Sequence, residues 1–430
     1  MYTPTLMEQI LSDDNLHQAY RHVVKSNGKG GVDKMKCSEL LEHLVENIDN
    51  IKEQMFNGEY KPQPVRRCSI PKPDGGRRLL GIPTVTDRFL QQAIAQVLTP
   101  IFEKQFHKNS FAFRENRNAH MAILKALDII NKGYIWIVDI DLEKFFDTVN
   151  HDKLMETLSR TIKDENLLSV IKNFLKSGIM TKKHHYIDSV LGTPQGGNMS
   201  PLLSNIMLNE LDKELARRGL KFVRYADDCI VFVKSKVAAE RALKNLINFI
   251  ENDLCLKVNM TKTKIDMPQG IKYLGFGFYY DEQSQSYKLI PHPKSVERIY
   301  MKLTTATRKN CKRKNRYKVW RINEVIRGWI NYFHIARIAF LCKELDRYIR
   351  YRLRIRIWME WDNPKKRIKG LKELGINRKS ACTVAYTTEN PEIICQKGII
   401  KKAISKEWFT QFGLLSMIDY YNQKYAGSSM

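Results

Sequence analysis

The feature that most constrains this chain is a doublet of carboxylates set between two apolar runs, Val223-Arg224-Tyr225-Ala226-Asp227-Asp228-Cys229-Ile230-Val231. Runs this rich in Val, Ile and aromatic residues suit half-buried strands, and Asp favours tight turns. Phe222 to Val233 is therefore expected to form two short strands around a turn at Ala226-Asp227-Asp228. An Asp-Asp turn alone is as readily structural as catalytic. A second apolar segment, Tyr134 to Leu142, reads as a buried strand and carries Asp139 and Asp141, spaced to share one face. Carboxylates in apolar surroundings repel one another and are costly to desolvate unless a cation neutralises them. A pair of Mg²⁺ ions does this and can clamp the attacking and leaving oxygens of phosphoryl transfer. Strand geometry leaves the choice between Asp139 and Asp141 open.

Charge narrows the partner. The chain carries 72 Lys+Arg against 46 Asp+Glu, a net +26, and so large an excess of one sign points to a polyanion, nucleic acid or anionic membrane. No stretch approaches the ~18–20 apolar residues of a membrane span. Met1 to Leu16 carries Glu8, Asp13 and Asp14 without an apolar core, so no signal peptide is expected. Nucleic acid is the expected partner, with no membrane. The eight cysteines contain no Cys-x-x-Cys pair. They read as free thiols of a cytoplasmic protein, and no zinc-bound endonuclease module is expected.

The charge is also unevenly placed. Pro291 to Gly370 holds 23 Lys/Arg and 6 Asp/Glu, a net +17, which leaves +9 for the other 350 residues. This step, with Pro291 and Pro293, marks a boundary near 285–290. Inside the basic region, Ile322, Val325, Ile326, Trp329 and Phe333 recur at helical spacing. From Tyr348 to Trp358, apolar residues alternate with Arg350, Arg352, Arg354 and Arg356. That period suggests a strand, although Ile349, Leu353 and Ile357 also fit a helix. Residues 7–24 and 38–56 read as helices, as does Pro201 to Arg217, with Ser200 as N-cap and Pro201 at the first helical position.

Two further stretches combine with the carboxylates. Gly192-Thr193-Pro194-Gln195-Gly196-Gly197-Asn198-Met199-Ser200-Pro201 precedes the Asp-Asp turn, and its glycines permit close backbone approach to a base pair or phosphate. Ile70-Pro71-Lys72-Pro73-Asp74-Gly75-Gly76-Arg77-Arg78-Leu79 places a hairpin tip between two cationic arms able to grip a triphosphate. Each alone is an ordinary turn.

Together, in this order, these segments resemble reverse transcriptases encoded in bacterial group II introns, of the lineage lacking the C-terminal endonuclease. Tyr225-Ala226-Asp227-Asp228 looks like the palm hairpin of that class, and Asp141-Leu142-Glu143-Lys144-Phe145-Phe146-Asp147 its first carboxylate motif. Tyr273-Leu274-Gly275-Phe276 resembles the primer-grip turn, and Arg327-Gly328-Trp329-Ile330-Asn331-Tyr332-Phe333 the thumb, or maturase, signature. Gly31-Val32-Asp33, Tyr60-Lys61-Pro62 and Phe412-Gly413-Leu414-Leu415-Ser416 extend the likeness almost end to end. Ser110-Phe111-Ala112-Phe113-Arg114 departs from the family, which usually has Gly at Ala112 and Pro at Glu115.

The resemblance selects Asp141 over Asp139, and implies that Asp141, Asp227 and Asp228, with the Leu142 carbonyl, hold Mg²⁺. It implies that Lys72 and Arg78 bind the triphosphate and that Phe146 blocks a ribose 2′-OH while Phe145 is core, and Gln195 can hydrogen-bond the incoming nucleotide or the template backbone. Lys262 would assist pyrophosphate departure, with Lys264 as rival and a surface lysine as the bland alternative. It also makes Tyr348 to Trp358 a helix. The cations Lys312, Arg313, Lys314 and Arg316 are expected to meet RNA phosphates, or else to form a solvated loop. The fold class expected is α+β, a right-hand polymerase: N-terminal helical extension (1–60), fingers and palm (61–288), thumb (289–364) and a small C-terminal nucleic-acid-binding domain (365–430). The function implied is RNA-directed DNA synthesis from deoxynucleoside triphosphates, together with binding of the intron RNA to aid splicing and mobility at a DNA target. An RNA chaperone would share the basic thumb but has no need of the three carboxylates. An enzyme recruited to defence or repair would share them all.

Overall fold

The computed structural model describes residues 4–71, 75–181, 185–193, 196–308 and 315–425. It divides into two compact units, Met1–Met267 and Pro268–Met430.

The first unit opens with helices α1 (Leu6–Leu11), α2 (Asp13–Ser26) and α3 (Leu40–Phe56). The single helix expected over 7–24 is two, because Ser12 takes an extended conformation between them. A hairpin follows, β1 (Val65–Pro71) and β2 (Arg77–Ile82), whose register pairs Pro71 with Arg77; Pro73 and Asp74 of the expected tip lie outside the described residues. Next come α4 (Val85–Glu103), α5 (Ala119–Asn131), β3 (Trp136–Ile140), α6 (Phe145–Thr148), α7 (His151–Ser159) and α8 (Glu165–Leu175). Short strands β4 (Ile179–Met180) and β5 (Tyr186–Ile187) complete a sheet of order β2-β1-β4-β5. The unit ends with α9 (Ser200–Arg217), β6 (Lys221–Tyr225), β7 (Asp228–Val233), α10 (Lys236–Asn248) and β8 (Lys264–Asp266).

The sheet that matters for function has the order β6-β7-β3-β8, antiparallel throughout. Its two central strands are its most apolar: Ile137, Val138, Ile230 and Val231 are fully buried, each contributing about 1.5–3 kcal/mol relative to exposure. Helices α5, α9 and α10 pack on this sheet. Helix α9 begins at Ser200 with Met199 at its cap position and no side-chain cap bond, so the expected Ser200 cap is displaced by one residue. Ser200 is drawn inside the helix because the preceding Gly197 carbonyl accepts its N–H.

The second unit starts with the hairpin β9 (Phe276–Asp281) and β10 (Ser286–Pro291) and continues as helices α11 (Pro293–Ala306), α12 (Asn315–Phe333) and α13 (Ala339–Glu360). Six short helices follow: α14 (Pro364–Glu373), α15 (Arg378–Ala385), α16 (Pro391–Ile394), α17 (Gly398–Ala403), α18 (Lys406–Gln411) and α19 (Met417–Tyr425). Ile322, Ile326, Trp329 and Phe333 form the buried stripe of α12 as their spacing predicts. Tyr348 to Trp358 is helical within α13. The period-two pattern there has a physical cause: Arg354 and Arg356 lie on the buried side, donating to the carbonyls of Ile404 and Arg308. Among the described residues no helix is long and apolar enough to cross a membrane.

Candidate active site

Strand pairing places the carboxylates. In the β6–β7 hairpin Tyr225 pairs with Asp228, leaving Ala226 and Asp227 as a two-residue turn. Ala226 has φ +57 and Asp227 is not in the positive-φ region, the pattern of a type II′ turn, which suits the twist of a hairpin but usually takes Gly first. Asp227 is thereby held at the tip, and Asp228 opens β7. The β3–β7 register pairs Asp139 with Ile230 and Ile140 with Cys229, and Asp141, just past the end of β3, acts by its charge on Asp227 at the tip, while Asp228 is exposed. On the other side β3 pairs Asp139 with Lys264, where the ladder ends, and the preceding turn, in which the Asn259 carbonyl accepts from the Lys262 and Thr263 N–H groups, carries Lys262. Its ammonium lies 3.6 Å from Asp141 Oδ2. Of the rival lysines, Lys262 reaches Asp141, while Lys264 reaches Asp266 at 3.4 Å.

The backbone around Asp141 is pinned. Its N–H donates to Thr263 Oγ1 at 3.2 Å, and its carbonyl accepts from the Asn259 N–H at 2.8 Å. The Glu143 N–H donates to the Lys257 carbonyl at 2.8 Å, so the bridge between Leu142 and Val258 is closed by its flanking groups. In such an antiparallel pair the carbonyl of Leu142 itself points away from the partner strand.

Electrostatics mark the same spot. Burial pushes the Asp227 carboxyl above its usual range, and the charge of Asp141 adds to the rise, while Arg78 and Arg224 oppose it. Asp139 is pushed up to about 6, again by burial first, with Lys264 opposing and Asp141 adding. These are like charges that the protein leaves partly uncompensated, in a donor set made of oxygen atoms. Among the described residues no three His, Cys, Asp or Glu side chains converge closely enough to hold an ion by themselves. A hard divalent cation held by one or two carboxylates and completed by substrate phosphates and water has no need of a third. The residues fit such a cation.

Beneath the turn, Arg224 is completely buried. It makes a bidentate pair with Asp212 of α9, Nε to Oδ1 at 2.8 Å and Nη2 to Oδ2 at 2.6 Å. Its Nη1 donates to Asn205 Oδ1 at 3.1 Å and to the Ala226 carbonyl at 3.0 Å. Sequence reasoning gave Arg224 no role. The available signal was a cation inside an apolar strand, which requires a buried partner.

Phe145 is buried and meets Phe146 edge-on, centroids 5.2 Å apart. Phe146, half-buried, faces a cleft of about 340 Å³ that it shares with Lys144, Gly81, Leu80, Gly192 and Thr193. The glycine loop closes this cleft against the protein's own backbone. The Thr193 N–H donates to the Phe146 carbonyl at 2.7 Å, and Gly192, at φ +89, has no room for a Cβ beside that same carbonyl. Arg78 is exposed on β2. Lys72, Gln195, Lys312, Arg313 and Lys314 lie outside the described residues, and Arg316 falls in the first turn of α12.

In the second unit, Tyr273-Leu274-Gly275-Phe276 is a turn closed by reciprocal backbone bonds between Tyr273 and Phe276. Leu274 and Gly275 both have positive φ, +48 and +88. The Tyr332 hydroxyl donates to the Leu274 carbonyl at 2.7 Å and Ser295 Oγ to the Gly275 carbonyl at 2.8 Å. These bonds hold a turn that leucine ordinarily avoids.

Comparison with known proteins gives the family. Residues 70–278 match the family described as reverse transcriptase (RNA-dependent DNA polymerase), and residues 296–375 match the group II intron maturase-specific domain. Protein YkfC of Escherichia coli is 33% identical over 317 residues, 63% of this chain and 81% of that protein. The chain belongs to the group II intron reverse transcriptase and maturase family. The group II intron-encoded protein LtrA of Lactococcus lactis is 36% identical over 229 residues, 52% of this chain and 37% of that longer protein. A solved partial Cas6-RT-Cas1–Cas2 complex aligns with 26% identity and a TM-score of 0.38 over 58% of this chain and 43% of that one. The family assigns the chain to the RNA-directed DNA polymerases, which have a right-hand α+β fold, depend on divalent metal and have RNA and DNA as partners.

Proposed function

We propose that this reverse transcriptase copies its intron RNA into DNA, using Mg²⁺, and also binds that RNA to help it splice and move to a DNA target. The observation that supports this most is the meeting of Asp141, Asp227 and Lys262 at one end of the β6-β7-β3-β8 sheet, with Asp228 next to Asp227 at the start of β7. Two Mg²⁺ ions held by Asp141, Asp227, Asp228 and the Leu142 carbonyl would activate the primer hydroxyl and neutralise the phosphoryl oxygens. Lys72 and Arg78 grip the triphosphate, Gln195 steadies the nucleotide and Phe146 closes off the sugar 2′ position. Lys262 Nζ gives its proton to the departing pyrophosphate. Residues 1–60, 61–288, 289–364 and 365–430 serve as extension, fingers and palm, thumb and nucleic-acid-binding domain. The cytoplasm is the proposed compartment, in keeping with the free cysteines.

The test uses Asp141→Asn and Asp227→Asn, which remove charge and keep shape. Primer extension on an RNA template falls by orders of magnitude, while binding and splicing of the flanking intron RNA persist. Wild-type extension by either variant would remove the metal assignment, and loss of splicing together with extension would join the two tasks in one site.

A further inference from the structure

The second unit holds a cleft of about 510 Å³ in which Arg347, Tyr348, Arg350, Tyr351 and Arg354 of α13 face Lys401 of α17. None of these residues belongs to the polymerase site. Arg354 decides its character. Its residue surface is 8% exposed, its Nε donates to the Ile404 carbonyl at 2.9 Å, and its guanidinium lies over the Phe409 ring. Among the described residues no carboxylate pairs with it. Arg356 on the same helix is equally buried and has its acid, Glu360 at 2.9 Å. A buried cation without a counter-ion is costly, and burial and Arg350 together disfavour its charge. Two acidic groups lie near the cluster. Glu407 is exposed, held low chiefly by the Ser405 hydroxyl and last by Arg350. Asp346 lines a small cavity with Arg350, but its carboxylate accepts from Ser416 Oγ and the N–H groups of Met417 and Ile418. The cleft is therefore built for an anion from outside.

Three guanidiniums and an ammonium suit phosphate, whose oxygens match the arginine fork. The cleft is roomier than a phosphate alone requires, and two aromatic rings line it. Tyr348 is tied by its hydroxyl to Thr304 and edge-on to Tyr300. Tyr351 has no such tie among the described residues, so its ring is the one available for stacking. Phosphate-binding cations beside an aromatic face are the means by which single strands are held. A duplex keeps its bases stacked and paired inside, and inserting one carries a cost of unpairing and unstacking that a single strand avoids. Cys395 also lines the cleft, but burial pushes its thiol up to about 12, which makes it wall rather than nucleophile.

We propose that this cleft binds an unpaired nucleotide of a single-stranded nucleic acid, with Arg354 and Arg350 on the phosphate and Tyr351 against the base. The site acts independently of nucleotide addition, so it stands whether or not the polymerase assignment does.

The experiment uses the full chain and an oligouridylate carrying one thiouridine photoprobe. In the wild type the cross-link maps to the peptide containing Tyr348 and Tyr351. In Arg350→Gln/Lys401→Gln, at a half-buried and an exposed position, that adduct is lost, and the slope of log K against log [salt] falls by roughly 0.7, the value for one phosphate of a single strand. Tyr351→Leu loses the adduct with little change in slope. Arg354→Gln is read only if its melting matches the wild type, and the double variant decides the matter otherwise. Adducts confined to other peptides, with an unchanged slope in the double variant, overturn the proposal. Displacement of the oligomer by inorganic phosphate as readily as by unlabelled oligouridylate also overturns it, in favour of a free-phosphate site, and equal competition by duplex overturns the single-strand preference.

Discussion

The guanidinium of Arg224 donates from Nη1 to the carbonyl of Ala226 at 3.0 Å, while its other nitrogens grip Asp212. The turn that carries Asp227 thus rests on a buried ion pair that ties β6 to α9. Ala226 occupies a conformation that glycine prefers, and this bond, together with the pairing of Tyr225 and Asp228, holds it there.

Arg224→Met leaves Asp212 buried and unpaired, and the protein should lose ~3–5 kcal/mol of stability. Arg224→Met/Asp212→Leu removes both charges and should recover most of that loss in denaturant unfolding. Extension stays depressed in the double variant, because the Ala226 carbonyl still lacks its donor. Full recovery of kcat together with stability would reduce Arg224 to a packing role.

The pair formed by Lys262 and Asp141 separates two lysines that the sequence could not. Lys262→Gln should lower the rate of nucleotide addition on the order of 10²-fold, the range typical of a positioned proton donor. Lys264→Gln, whose side chain meets Asp266 instead, should change it far less. Single-turnover extension measures both, and equal effects would undo the assignment.

Phe146 borders the cleft with the glycine loop while Phe145 is core. Phe146→Val should raise incorporation of ribonucleotides relative to deoxynucleotides on the same template, with the fold intact. Phe145→Ala should instead cost ~3–5 kcal/mol of stability. An unchanged sugar ratio in an active Phe146→Val enzyme would leave both rings with packing roles alone.

Replacing Lys312, Arg313, Lys314 and Arg316 with Gln keeps length and removes charge. For each phosphate these cations no longer neutralise, the slope of log K against log [salt] should flatten by ~0.7–0.9, for unrelated RNAs as well as the intron. A filter-binding series that matches wild type in both affinity and slope would make the run a solvated loop.

Much of this molecule was legible in the order of its residues. The apolar strands around Asp227, the basic α12 with its buried stripe and the hairpin before Arg78 follow from periodicity and turn chemistry, which are local. Local rules failed where a residue's partner lay elsewhere. The arginines of α13 imitate a strand because Arg354 and Arg356 are buried against carbonyls of distant segments. The choice of Asp141 over Asp139 needed a resemblance. The tertiary structure sets Asp139 within the strand, across from Lys264, and Asp141 just beyond it beside Lys262.

What the sequence determined alone was composition-driven: which segments are apolar enough to be buried, where the chain must turn, and that a polyanion is the partner. Only the folded chain decided which charges meet. The bond from Arg224 to Asp212, the reach of Lys262 to Asp141 and the burial of Arg354, which has no carboxylate partner among the described residues, depend on how distant segments pack together. In the sheet, a shift of one residue in register would turn Arg224 and Asp141 to the opposite face.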